Sequence, residues 1–121
     1  MNTSEKKILV CDDDEGIADI VKIVLENKAY QVVSMTRTDH IFEEVRKLRP
    51  NLILLDLWMP NLGGEEITRH LKQDQKTKDI PIVIISASKD TEQITQRIGA
   101  DDYLCKPFDI EKLEKIVERY I

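Results

Sequence analysis

Acidic residues stand directly after two short apolar segments, and a lysine stands after a third. These residues are Asp12, Asp13, Asp56 and Lys106, and Ser86 follows a fourth segment. Three carboxylates gathered within about 4–6 Å would repel, at roughly 4 kcal/mol for each close pair near a protein surface. An oxygen-only cluster of this kind suits a hard divalent cation, Mg2+ or Mn2+, that keeps several waters. A carboxylate beside such a cation, an ammonium group and a hydroxyl is the equipment for phosphoryl transfer to an aspartate.

The elements that must position these residues follow from the change of hydrophobic period along the chain. The segments 52–55 and 82–85 are almost wholly apolar, as is expected of strands covered on both faces. Three further strand segments and five stripes of helical spacing alternate with them; the strands are 8–10, 32–33 and 103–104, and the stripes start near residues 17, 41, 67, 94 and 110. Alternation of this kind predicts one parallel sheet with helices on both faces, a single domain over 1–121 with a core of about 7–120.

The order of the strands decides whether the acidic residues meet. In open α/β sheets, ligands bind beyond the carboxyl ends of the strands, where the strand order reverses. In the flavodoxin-like order 2-1-3-4-5, the first and third strands are neighbours at that point, so Asp12, Asp13 and Asp56 would come together. We therefore predict an α/β flavodoxin-like, doubly wound (βα)5 fold with an acidic metal site at this edge.

Composition limits the classes of function. The chain has 121 residues, with 18 Lys and Arg against 23 Asp and Glu, a net charge of −5. It lacks the basic footprint that a nucleic-acid binder needs. No apolar run approaches the ~18 residues of a membrane span, and the segment 1–7 is polar with no apolar region after it. We therefore expect a cytoplasmic protein that binds neither nucleic acid nor membrane.

Several residues receive structural interpretations. In a reducing compartment, Cys11 and Cys105 are interpreted as small buried side chains and not as a disulfide or a metal pair. Gly63 and Gly64 predict a loop that needs positive φ before the third helix, not a phosphate-binding loop. Asp14 is expected to open the first helix, because acidic residues favour helix N-termini.

The sequence resembles the receiver domain of bacterial two-component response regulators from residue 7 to about 120. The motifs that carry the resemblance are ILVCDDD at 8–14, LLDLWMP at 54–60, SA at 86–87 and GADDYLCKPF at 99–108. The resemblance implies that Asp56 is the phospho-acceptor and that Asp13 binds Mg2+ directly. It also implies that Asp12 assists, often through water, and that the Trp58 backbone carbonyl completes the protein ligands.

The resemblance assigns roles to the later strand ends as well. Ser86 corresponds to the hydroxyl that follows the phosphoryl group, and Lys106 to the lysine that binds its oxygens. Tyr103 corresponds to the aromatic switch residue, and a cis peptide is expected before Pro107. The implied donor is a sensor histidine kinase or a phosphotransfer protein. The implied output domain or target protein binds the face formed by the fourth helix, fifth strand and fifth helix.

The sequence departs from the family pattern at this output face. The stretch from Ser86 to Lys106 is about two residues shorter than usual, mostly near the start of the fourth helix. Family members that dimerise to regulate transcription use paired opposite charges here. Glu92 and Lys112 suit one such pair, but Ile116 stands where a second, basic partner is expected. We therefore do not predict a stable dimer.

Three other functions are weighed against a phosphorylation-activated switch that modifies only itself. A haloacid-dehalogenase-like phosphatase would need a second acid where Trp58 stands. A flavodoxin-like cofactor binder would need a hydroxyl- and glycine-rich loop after the first strand, where this chain has three acids. A degenerate receiver that serves only as a phosphorylation-independent docking module is the alternative, although every chemical position is filled.

Overall fold

The computed structural model describes residues 5–121. The part of the prediction for segment 1–7 that concerns residues 1–4 therefore lies outside the described residues. Strands and helices alternate along the chain. The strands are β1 (Lys7–Cys11), β2 (Gln31–Met35), β3 (Leu52–Asp56), β4 (Ile82–Ser86) and β5 (Asp102–Cys105). The helices are α1 (Glu15–Glu26), α2 (Ile41–Leu48), α3 (Gly64–Gln73), α4 (Thr91–Ile98) and α5 (Ile110–Tyr120). Within these residues, no helix has the length and apolarity that crossing a membrane requires.

The five strands form one parallel sheet in the order β2-β1-β3-β4-β5, which confirms the predicted flavodoxin-like topology. β1 and β3 are neighbours, with Cys11 opposite Leu55, so the residues that follow the two strands leave the sheet side by side. Asp56 lies opposite Ile85 of β4, and Ser86 lies opposite Cys105 of β5. The register therefore aligns the carboxyl ends of β1, β3, β4 and β5 at one edge.

Two apolar cores, one on each face of the sheet, explain the continuous apolar runs of β3 and β4. Leu54 packs on the side of α1 and α5, and Leu55 packs on the side of α2, α3 and α4. Every residue of β3 and of β4 is buried. A strand covered on both faces has no solvent side, so it lacks the polar alternation of a half-exposed strand.

Helix ends follow local chemistry. Asp14 is the N-cap of α1, where its carboxylate accepts the Ile17 N–H, as expected for an acid that opens a helix. Gly99 ends α4 with φ 84°, a left-handed conformation that glycine adopts without steric cost. Arg49 ends α2 in the same region, with φ 52°.

The two cysteines have different environments. Cys11 is buried, and burial together with the Asp12 carboxylate raises the pKa of its thiol to about 12, so it stays neutral. Cys105 is exposed, so the prediction that both cysteines are buried is wrong for Cys105. It is the last residue of the edge strand β5, where the sheet continues on one side only, while the preceding Leu104 faces the core.

Candidate functional site

The three predicted acidic residues meet at the carboxyl ends of β1 and β3. Oxygens of Asp12, Asp13 and Asp56 lie within 4.8 Å of one another. Asp12 and Asp56 are buried, and Asp13 is exposed at the mouth of the cluster. The arrangement follows from the β1–β3 pairing, because the chain leaves both strands at the same level of the sheet.

Lys106 brings a positive charge to the buried part of the cluster. Its Nζ lies 3.0 Å from Asp12 Oδ2 and 3.6 Å from Asp56 Oδ2. The other oxygen of Asp12, Oδ1, accepts the Asp14 N–H at 2.9 Å. Asp12 Oδ2 is buried, and among residues 5–121 its polar contact is this ion pair with Lys106. A carboxylate oxygen has more than one lone pair, so Oδ2 can accept a cation in addition to Lys106.

Burial and the neighbouring charges shift the pKa values of both Asp56 and Lys106. Burial, then the Asp12 carboxylate, raises the pKa of Asp56 to about 6, although Lys106 and the Trp58 N–H oppose the rise. Burial acts to lower the pKa of Lys106, but the Asp12 and Asp56 carboxylates outweigh it and raise that pKa overall. One ammonium group therefore offsets only part of the carboxylate repulsion, and the site favours an additional positive charge.

The donor set fits Mg2+ or Mn2+. All three side chains offer carboxylate oxygens, the ligands that hard divalent cations prefer. Two buried carboxylates share the single Lys106 ammonium, so protein groups offset only part of the negative charge of the cluster. Asp13, at the solvent side, leaves room for the waters that Mg2+ retains.

Ser86 ends the neighbouring strand β4, as predicted, and Trp58 lies in the loop that follows β3. Ser86 is buried at the end of β4, and its Oγ accepts the Ser88 N–H at 3.0 Å. The Trp58 N–H donates to Asp56 Oδ1 at 3.3 Å, which fixes one carboxylate oxygen of Asp56. The Trp58 indole is 64% exposed beside the cluster. The role of its carbonyl as a metal ligand stays a prediction.

Tyr103 lies farther along the sheet, on the edge strand β5. Its ring packs against the core on the α4 side, and the Glu92 carboxylate of α4 is the main cause of a raised pKa for its hydroxyl. Glu92, which suits a charge pair on this face, therefore lies close to the Tyr103 hydroxyl. Ile116, which stands where a basic partner is expected, is buried in the core beside α5. The Lys106–Pro107 peptide is cis, as the resemblance implied.

The glycines before α3 serve a purpose different from the predicted one. Gly63 has φ −81°, and Gly99 is the only positive-φ glycine in residues 5–121, so the prediction of positive φ at Gly63 and Gly64 is wrong. Asn61, with φ 71°, supplies the left-handed residue of this loop. Gly64 is instead needed for close approach, because a Cβ there would lie 2.8 Å from the Asp56 backbone oxygen and 2.9 Å from the Leu57 Cα.

Thr38 is a positioning residue that the sequence analysis missed. It is buried after β2, and its hydroxyl donates to the Pro60 carbonyl and accepts the Leu62 N–H, both at 3.4 Å. Thr38 therefore supports the loop that follows Asp56. No motif surrounds it, and its partners lie more than 20 positions away, so the sequence offered no signal.

Known proteins with similar sequences are response regulators. The chain is 36% identical over 115 residues to the DNA-binding response regulator MtrA of Mycobacterium tuberculosis, covering 93% of this chain and 49% of that protein. It is 39% identical over 111 residues to the DNA-binding dual master transcriptional regulator RpaA of Synechocystis, covering 88% and 45%. The chain thus spans about half the length of the curated relatives it matches.

Solved structures of similar fold are receiver proteins. The chemotaxis protein CheY4 of Vibrio cholerae gives a TM-score of 0.89 at 27% identity, covering 98% of this chain and all of that one. The receiver domain of the sensor histidine kinase PA1611 of Pseudomonas aeruginosa gives 0.86 at 26% identity, covering 97% and 98%, and was solved with a magnesium ion coordinated in its active site cleft. The family described as the response regulator receiver domain matches residues 8–118. The chain therefore belongs to the response regulator receiver domain family.

Proposed function

We propose that the chain is a phosphorylation-activated switch in which Asp56 accepts a phosphoryl group from a phosphohistidine. The observation that carries this proposal is the buried cluster of Asp12 and Asp56 around the Lys106 ammonium, with Asp13 at its mouth. In the transfer, an Asp56 oxygen forms a bond to phosphorus while the bond between phosphorus and the histidine nitrogen breaks. The domain modifies and dephosphorylates itself in the cytoplasm and does not turn over an outside substrate.

Asp12, Asp13, Asp56 and the Trp58 carbonyl would hold Mg2+, which when bound supplies positive charge against the incoming phosphoryl oxygens. Lys106, already in contact with both buried carboxylates, is placed to pair with a phosphoryl oxygen. The Ser86 Oγ accepts the Ser88 N–H, so its own hydrogen is free to donate to a phosphoryl oxygen.

A donor protein must contact the surface that surrounds Asp56, and one apolar groove adjoins it. This groove, called here the α1 groove, has a volume of about 300 Å³ and lies between α1 and the segment after β5. It is lined by Ile17, Ile20, Val21, Ala87, Lys106, Pro107 and Phe108. Ile20 is 56% exposed, although it is a large apolar side chain. We assign the α1 groove to the histidine kinase or phosphotransfer protein.

Phosphorylation would act on the output face by population shift. In the structure the Ser86 Oγ accepts a hydrogen bond from the Ser88 N–H within the same turn, and Tyr103 lies beside Glu92. A phosphoryl group on Asp56 offers the Ser86 hydroxyl a stronger, charged acceptor. Movement of Ser86 toward it would free space for Tyr103 to turn inward and would alter the α4–β5–α5 surface, where an output domain or target protein binds.

Intact-mass analysis after incubation with acetyl phosphate tests the phospho-acceptor. We expect one phosphoryl adduct that requires Mg2+ and is absent from Asp56→Asn. Asp14→Asn is the matched control, because Asp14 belongs to the same acidic run but caps α1. It should form the adduct as the wild type does. Absence of an adduct in the wild type, with no effect of Mg2+ on Trp58 fluorescence, would leave the docking module as the function.

A further inference from the structure

A second pocket lies at the amino-terminal ends of the strands, on the side of the sheet away from Asp56. It is formed between the end of α2 and the loop before β4. Its volume is about 310 Å³. It is called here the basic pocket, and its lining is Val45, Arg46, Arg49, Pro50, Lys76, Thr77 and Ile80. Three of these residues are cationic and none is acidic, although the chain as a whole carries a net charge of −5.

The three cations have no acidic partner of their own. Arg46, Arg49 and Lys76 are exposed, and none forms an ion pair with any carboxylate of residues 5–121. A cation in the last turn of a helix offsets the helix dipole, which accounts for Arg46 in α2. It does not account for Lys76, which stands 30 positions later in the loop after α3. The fold thus places three cations around one pocket whose lining has no carboxylate.

The floor of the basic pocket is apolar. Val45 and Pro50 are buried and Ile80 is half-buried. Guanidinium groups bind phosphate oxygens in a bidentate manner, and an ammonium adds a point charge. A volume of about 310 Å³ lies at the lower end of the range of small-ligand pockets. We propose that the basic pocket binds a phosphate-bearing small anion, through Arg46, Arg49 and Lys76.

This site is separate from the phosphorylation site and does not depend on the proposed function. Pro50 and Ile80 lie shortly before β3 and β4, whereas Asp56 is the last residue of β3. The length of the strand, about 13 Å from Leu52 to Asp56, lies between the two sites. The edge that holds Asp56 is acidic and repels a free phosphate, so the two sites differ in sign.

The test is a titration followed by amide chemical shifts in 1H–15N NMR spectra, without divalent cation and at constant ionic strength set with chloride. The probes are inorganic phosphate and adenosine monophosphate. We expect saturable shifts at the amides of Arg49, Lys76 and Thr77, with a Kd on the order of 1 mM for phosphate. If adenosine monophosphate binds more tightly than inorganic phosphate, the pocket recognises an anion that also carries an apolar group. If the two bind equally, the pocket recognises the phosphate group alone.

Three single-charge variants separate the pocket from general surface charge. Arg46→Gln removes a cation that lines the pocket, and Lys47→Gln removes its neighbour in α2, which does not line it. We expect at least fivefold weaker binding in Arg46→Gln and in Lys76→Gln, and wild-type binding in Lys47→Gln. Shifts that stay linear with concentration, or an equal loss in all three variants, would overturn the proposal. The spectra also report directly whether each variant is folded.

Discussion

Gly64 packs against the backbone of Asp56 so closely that any side chain at position 64 would collide with it. A Cβ on Gly64 would lie 2.8 Å from the Asp56 carbonyl oxygen, and the Gly64 N–H donates to the Leu57 carbonyl at 3.0 Å. The obstacle is backbone, which cannot swing away as a flexible side chain can. The start of α3 therefore fixes the path of the chain at the proposed phospho-acceptor.

Gly64→Ala should destabilise the domain and displace Asp56. The added methyl must push either α3 or the end of β3, so we expect a loss of roughly 2 kcal/mol, in the range known for overpacking. Gly63→Ala is the matched control, since its Cβ would meet nothing closer than 3.7 Å. Urea unfolding and Mg2+ titration of Trp58 fluorescence would measure both effects. Equal stability and Mg2+ affinity in the two variants would contradict the close-approach argument.

Asp56 should make stability depend on pH in a direction unusual for an aspartate. Its pKa of about 6 exceeds the ~3.9 of an unfolded chain, so folding favours the protonated form. This contribution to stability is complete below about pH 4 and is lost as the pH rises through about 6. At neutral pH the ionised side chain then costs on the order of 2 kcal/mol without a metal.

Asp56→Asn should therefore raise the Tm by several degrees at pH 7.5 in the absence of divalent cations. The gain should vanish near pH 4, where wild-type Asp56 is protonated, and Mg2+ should reduce it by stabilising the wild type alone. Asp19→Asn, at an exposed position of α1, provides the control for loss of one negative charge. Thermal melts across this pH range measure the Tm of each variant and of the wild type. An Asp56→Asn variant less stable than the wild type at pH 7.5 would contradict the raised pKa of Asp56.

Lys106→Met should bind Mg2+ more tightly but form the phosphoryl adduct more slowly. The ammonium, 3.0 Å from Asp12 and 3.6 Å from Asp56, repels a divalent cation, so its removal should strengthen binding about tenfold. The same change removes the cation placed to meet the phosphoryl group. Trp58 fluorescence gives the affinity and intact mass gives the adduct rate. Lys115→Met, on the exposed side of α5, should change neither quantity; unchanged affinity in Lys106→Met would contradict the competition.

The meeting of Asp12, Asp13 and Asp56 could be predicted because it depends only on strand order. In the flavodoxin-like order 2-1-3-4-5 the first and third strands are neighbours, so the residues that follow them meet; in the other common doubly wound order, 3-2-1-4-5-6, they would not. The local helix signals at Asp14 and Gly99 were predictable for a similar reason, because each acts on its own helix terminus.

Other features depend on distances that no local pattern encodes. The need for Gly64 arises from the approach of α3 to the β3 backbone, and a pair of glycines in sequence indicates a positive φ equally well. The exposure of Cys105 follows from its place at the end of an edge strand. The basic pocket joins Arg46 to Lys76 across 30 positions, so neither residue marks it alone.

The α1 groove provides the last prediction, which concerns the donor protein. Ile20 and Ile23 both lie on α1 and are 56% and 59% exposed, but only Ile20 lines the groove. Ile20→Ala should slow phosphoryl transfer from a phosphorylated partner about tenfold, because a docked interface loses a buried apolar contact. Ile23→Ala should leave the rate unchanged.

The effect of Ile20→Ala should depend on which phosphoryl donor is used. Acetyl phosphate is too small to use a docking surface, so Ile20→Ala should accept a phosphoryl group from it at the wild-type rate. A kinase-dependent defect in Ile20→Ala alone, with both variants equal toward acetyl phosphate, assigns the α1 groove to the donor protein. Equal transfer rates from the kinase to both variants would place the docking surface elsewhere around Asp56.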